Sequence, residues 1–118
     1  MKGKDGQARI NEMLEDIRKQ LNDIRADLKN NPMEKNVVWG AYAKLEYAIL
    51  LAKLDHDFET TGGFESNKFD KTSEAEMLEL AIGYLESGKK VLSRGSVKRA
   101  INDLRKARDV LKMLVLKH

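Results

Sequence analysis

The chain has no cysteine among its 118 residues. This absence excludes a disulfide framework, a thiolate nucleophile, a Cys-ligated zinc site and an iron–sulfur cluster, and it fits a reducing cytoplasm. Proline occurs once, at Pro32, so long uninterrupted helices are allowed. The charged start of the chain leads into no apolar run, and we therefore expect neither a signal peptide nor a transmembrane span.

Hydrophobic residues make up 42% of the chain and charged residues 35%, which is typical of a globular protein. At this length we expect one domain with one core and no cofactor. The apolar spacing predicts an all-α, single-domain antiparallel four-helix bundle over residues 1–118, with helices at 7–30, 33–57, 74–94 and 97–116, a flexible tail at 1–6 and a long loop at 59–71.

Apolar residues recur along the first predicted helix in alternating steps of four and three: Ile10, Leu14, Ile17, Leu21, Ile24 and Leu28. This heptad seam predicts that one side of the helix is buried in the bundle. Asn30, Asn31 and Pro32 end the helix, because the residue before a proline is disfavoured in the α region and asparagine tolerates a left-handed cap. The second predicted helix is apolar around most of its circumference and is therefore expected to be the core helix.

Residues 83–90 match the spacing of a phosphate-binding loop. The match fails, because Lys90 stands where the motif needs Ser or Thr and no predicted strand precedes it. Within a helix, Gly83 and Gly88 indicate instead two places where a neighbouring helix approaches closely.

The third helix is predicted to start at a capping box formed by Ser73 and Glu76, and the tight link at Gly95 predicts an antiparallel hairpin with the fourth helix.

A resemblance to known helical hairpins is carried by six residues: Ala81, Tyr84, Gly95, Ala100, Ala107 and Leu111. Residues 81–95 look like the first helix and turn of a tetratricopeptide-like hairpin, and the pattern is similar to the closing hairpin of small archaeal helical-bundle proteins of no assigned function. The resemblance covers less than a third of the chain and assigns no functional residue.

Basic residues are concentrated in the last quarter of the chain, where residues 94–118 carry eight basic and two acidic side chains. Most of them fall on one side of the fourth predicted helix: Lys98, Arg99, Arg105, Lys106, Arg108 and Lys112. Such a face is suited to nucleic-acid phosphates, to an acidic membrane surface or to an acidic partner helix. The alternative is pairing within the protein, since the second and third predicted helices are net acidic.

Asp55, His56 and Glu59 form the one acidic cluster that contains a histidine, at the predicted end of the second helix. Two carboxylates and an imidazole are possible ligands for a divalent metal, so a small metal-dependent enzyme is one alternative function. The other interpretation is an exposed acidic helix end. Glu46, in the middle of the same helix, is expected either to pair with Lys53 or to line a solvated edge.

Two groups of apolar residues exceed what one bundle is expected to cover: Trp39, Tyr47 and Leu50 on the second helix, and Met113 and Leu116 in the last turn of the fourth. Their burial in a homodimer is the simplest solution. The alternative is that the loop containing Phe64 and Phe69 folds over the second helix. The sequence thus favours a non-enzymatic interaction module in the cytoplasm, whose partner is itself or another protein, with nucleic-acid binding as the alternative and no membrane contact.

Overall fold

The computed structural model describes residues 4–56 and 73–117. These residues form four helices, α1 (Lys4–Asp27), α2 (Lys35–His56), α3 (Glu74–Ser93) and α4 (Val97–Lys117). Neither range contains a β-strand, which confirms the predicted all-α four-helix class. The predicted loop at 59–71, with Phe64 and Phe69, lies outside the described residues.

The ends of α1 differ from the prediction by three residues each. The helix begins at Lys4, so residues 4–6 of the predicted tail are helical, and it ends at Asp27 instead of Asn30. The Asp27 carbonyl accepts hydrogen bonds from the backbone N–H groups of both Asn30 and Asn31. The Asn31 side chain also donates to the Asp27 carboxylate at 2.8 Å. These local bonds turn the chain before Pro32.

The helices follow the order α1, α2, α4, α3 around the bundle, because α1 and α4 each pack against both α2 and α3. The consecutive helices α2 and α3 therefore lie diagonally opposite each other. Both predicted hairpins are antiparallel: Arg9 near the start of α1 contacts Tyr47 late in α2, and Ser87 of α3 donates to Asp103 of α4. The short links fix these two pairs, as the sequence predicts.

The core contains one apolar face of each helix. From the heptad seam of α1, Ile10, Leu14, Ile17 and Leu21 are buried, whereas Ile24 and Leu28 are partly buried. The hairpin between α3 and α4 turns at Gly95, whose φ of 87° favours glycine. The Gly95 and Ser96 amides donate to the carbonyls of Leu92 and Val91 and so close the end of α3.

The predicted cap of α3 is present, and so is one of the two predicted close contacts between helices. Ser73 caps α3, its hydroxyl accepting from the Glu76 amide at 3.2 Å and donating to the Glu76 carboxylate at 3.0 Å. Gly88 is buried against α4, as predicted. The same expectation for Gly83 is wrong, because a Cβ at that position would meet nothing within 4 Å.

Candidate interaction surface

An apolar strip runs along the side of α2 that faces away from the core. Trp39 and Tyr47 are each 45% exposed and Leu50 is 51% exposed, and Ala43 lies exposed between them. We call these four residues the outer α2 face. They span about 80° of the helix circumference and about 16 Å of its length. The three α2 residues that were predicted to exceed what the bundle can cover, Trp39, Tyr47 and Leu50, are therefore exposed in the structure.

Both aromatic rings of the outer α2 face have contacts that fix their orientation. Trp39 stacks on Tyr42 with 4.8 Å between ring centroids and 6° between planes. The Arg9 guanidinium of α1 lies 5.9 Å from the centroid of the Tyr47 ring. Burial, and next the Glu46 carboxylate, raise the pKa of Tyr42, which is consistent with a half-buried ring between α2 and α4.

The last turn of α4 is exposed only in part. Leu116 is 68% exposed, as predicted from the sequence. Met113 instead is partly buried and packs against the core. Of the two α4 residues predicted for an interface, the structure therefore leaves Leu116 as an apolar side chain on the surface.

Arg108 ties α4 to α2 and does not extend freely from the basic face. Its guanidinium donates to Glu46 at 2.8 Å and to Asp109 at 3.0 Å. Burial alone would lower the pKa of Arg108, but the hydrogen bonds to the two carboxylates outweigh it and raise that pKa. Glu46 thus pairs with the neighbouring helix α4 and not with Lys53. Its side chain is 43% exposed, which fits the solvated edge that the sequence offered as the other interpretation.

The other basic residues predicted for this face of α4 divide into two groups. Lys106 lies 5.7 Å from the ring centroid of Tyr84 on α3. Lys98, Arg99, Arg105 and Lys112 have no ion pair within residues 4–56 and 73–117. Three of them recur every seven residues and therefore form one line along the helix. We call Lys98, Arg105 and Lys112 the basic row.

A line of carboxylates that was not among the sites predicted from the sequence lies on the exposed side of α1. Asp16, Asp23 and Asp27 are exposed. Asp23 and Asp27 line the depression between α1 and α2, together with Met33. We call the three aspartates the acidic row. Their spacing of seven and four residues can be read from the sequence, but only the packing shows that Asp23 and Asp27 border α2.

On the other side of α1, a groove shared with α3 holds an ion cluster. The Glu15 carboxylate accepts hydrogen bonds from Arg18 and, at 2.5 Å, from Lys89 of α3. The bond from Arg18, and next the bond from Lys89, lower the pKa of Glu15 to about 2. These charges satisfy one another and link α1 to α3.

The predicted metal ligands are not described by the structure. Asp55 and His56 lie in the last turn of α2, but their side chains fall outside the description, and so does all of Glu59. Among the residues that are described, no group of three or more His, Cys, Asp or Glu side chains is placed to hold a metal ion.

None of the helices, over the residues described, has the length and apolar character that crossing a bilayer requires. Comparison of the chain with protein-family models, with curated proteins and with solved structures gives no match.

Proposed function

We propose that the protein is a non-enzymatic helical-bundle interaction module that self-associates through the outer α2 face. One observation carries this proposal: Trp39, Tyr47 and Leu50 each expose about half of their surface on one side of one helix. Apolar side chains grouped on one side of a surface helix are a common feature of protein contact sites, and aromatic residues are enriched at the centres of interfaces.

The ordering of the two rings supports an interface. Trp39 is held by its stack on Tyr42, and Tyr47 is held by Arg9. Side chains that are already oriented lose less conformational entropy when a partner covers them. The outer α2 face therefore resembles a prepared contact surface more than a set of freely rotating side chains.

The ion pairs favour a structural role over catalysis. Glu15 and Glu46 each accept hydrogen bonds from cations of another helix. Glu15, with a pKa of about 2, is a weak base near neutral pH, whereas a general base works best with a pKa near the operating pH. These two carboxylates are therefore better explained as links between helices.

Light scattering at micromolar concentration tests self-association. We expect the wild-type chain to show a mass above 13.4 kDa and the Leu50→Glu variant to fall to 13.4 kDa. Leu80→Glu is the matched control, because Leu80 is an exposed leucine on α3, 38% accessible and away from α2. A wild-type chain that remains at 13.4 kDa, or equal effects of the two substitutions, would contradict the proposal.

The basic row supports a second candidate function, contact with nucleic-acid phosphates. Lys98, Arg105 and Lys112 are aligned and lack ion pairs within the described part of the chain. Titration with single-stranded and duplex DNA and RNA at two salt concentrations tests this candidate. Each neutralised row residue should then lower the salt slope by about 1. Binding that is independent of salt, or of these residues, would exclude it.

A further inference from the structure

The acidic row and the basic row border α2 from opposite sides. Arg9, one heptad before Asp16, lies over Tyr47 on the α1 side of α2. On the other side, Arg108 of α4 reaches Glu46 of α2. Since α2 lies between α1 and α4 at a corner of the bundle, the chain has two adjoining faces that share α2. We call the one formed with α1 the acidic face, because the three aspartates of the acidic row outnumber Arg9 on it, and the one formed with α4 the basic face.

Helix geometry distributes the outer α2 residues between these faces. At about 100° per residue, Leu50 lies about 20° from Trp39, and Trp39 stacks on Tyr42 at the boundary with α4. Tyr47 lies about 80° from Trp39, toward α1. Gly40, one heptad before Tyr47 and therefore on the same side of α2, is exposed, and a Cβ at Gly40 would meet nothing within 4 Å. The basic face therefore contains Trp39 and Leu50, and the acidic face contains Tyr47 and Gly40.

We propose that the chain assembles head to tail, with the basic face of one copy packed against the acidic face of the next. This proposal rests on the self-association proposed above and specifies its geometry. Trp39 and Leu50 of one copy then contact Tyr47 and the open backbone at Gly40 of the next. The rows that meet across the contact are Lys98, Arg105 and Lys112 on one side and Asp16, Asp23 and Asp27 on the other.

Charge disfavours a two-fold dimer that packs either of these faces on a copy of itself. A two-fold axis places a face against a copy of itself. For the basic face, stacking α2 on α2 also stacks the basic row on a basic row, and like charges across an interface oppose association. In the other two-fold arrangement of the basic face, Trp39 and Leu50 of one copy would pack against the basic row of its partner. The head-to-tail contact avoids both. Because adjoining faces of a bundle with four helices at its corners are roughly perpendicular, we expect this contact to close into a ring of about four copies.

Charge and apolar complementarity favour a second copy over a nucleic acid as the occupant of the basic face. The chain itself carries an exposed acidic row, which lies next to matching apolar residues, and its net charge is only +3. A nucleic acid would neutralise the basic row but would leave Trp39 and Leu50 without an apolar partner.

Two charge-reversed variants test the geometry by light scattering. One carries Asp16→Lys and Asp23→Lys, and the other carries Arg105→Glu and Lys112→Glu. Each variant alone places like charges across every contact, so we expect each to remain at 13.4 kDa. In an equimolar mixture every contact again joins opposite charges, and we expect the wild-type mass to return. Glu79→Lys, on the exposed side of α3, is the control and should assemble as the wild type does.

The outcomes separate this proposal from the one on which it rests. A mixture that remains monomeric, a wild-type mass of only two copies, or a single charge-reversed variant that assembles like the wild type would overturn the head-to-tail geometry. Circular dichroism of each variant confirms that the helices are intact in those samples. A wild-type chain that itself stays at 13.4 kDa would overturn the self-association and the geometry together.

Discussion

Gly88 of α3 lies directly against Leu104 of α4, because a Cβ at Gly88 would come within 2.8 Å of Leu104 Cδ2 and 3.0 Å of its Cγ. The Ala100 carbonyl oxygen would be 3.3 Å away. Leu104 is fully buried, so its side chain has no free space into which to move. The absence of a side chain at Gly88 therefore sets how closely the two helices of this hairpin approach.

Gly88→Ala is expected to destabilise the fold by about 1–3 kcal/mol, the usual cost of an extra methyl group in a packed core. Gly83→Ala is the control on the same helix. There a Cβ meets nothing within 4 Å, and we expect a gain of up to about 1 kcal/mol from helix propensity. Urea denaturation measures both, and a Gly88→Ala chain as stable as the wild type would show that the hairpin opens without cost.

Leu21→Ala tests the seam of α1. Leu21 is fully buried, and we expect the substitution to lower the free energy of unfolding by about 2–5 kcal/mol. Leu28→Ala, at the partly buried end of the same seam, should cost less. Chemical denaturation of both variants makes the comparison, and a loss of less than about 0.5 kcal/mol at Leu21 would contradict its burial.

Glu15 predicts a pH dependence with a definite sign. Its pKa is about 2 in the folded chain and near 4.5 in the absence of its partners. The contribution to stability is therefore complete above about pH 4.5 and is lost as the pH falls toward 2. The difference in unfolding free energy between wild type and Glu15→Gln should therefore shrink as the pH falls over this range. In high salt this difference should be smaller at every pH, so it should also change less with pH. A difference that stays constant with pH would be inconsistent with the Arg18 and Lys89 contacts.

The pair between Glu46 and Arg108 is measured by a double-mutant cycle with alanine at each position. The Arg108 side chain is 20% exposed and that of Glu46 is 43% exposed, so solvent weakens the interaction. We expect a coupling of about 0.5–1 kcal/mol, at the upper end for exposed pairs. Glu46→Ala with Lys53→Ala is the control cycle, which should show no coupling. Equal coupling in the two cycles would contradict the observed pairing.

Features that depend on neighbours in the sequence were predictable. The seam of α1, the Ser73 cap and the turn at Gly95 each arise from residues a few positions apart, which share a helix face or a turn. The ends of α1 were predicted less well, because backbone bonds to Asp27 compete with one further helical turn.

Features that depend on how the helices are arranged were not predictable. Glu46 and Arg108 are 62 positions apart, and Glu15 and Lys89 are 74 apart. Nothing local in the sequence shows that α2 adjoins α4 or that α1 adjoins α3. Gly83 and Gly88 show the same limit. Two positions five residues apart lie about 140° apart around a helix, so only one of these glycines is directed toward α4. The spacing of the acidic row is likewise visible in the sequence, but its position relative to α2 is not.

The central claim, that self-association covers the outer α2 face, is tested most directly by acrylamide quenching of Trp39, the one tryptophan of the chain. At micromolar concentration we expect Trp39 to be quenched less in the wild type than in Leu50→Glu. Dilution should remove this difference, because dissociation exposes the ring in the wild type as well. Equal quenching of the two proteins at every concentration would contradict the claim.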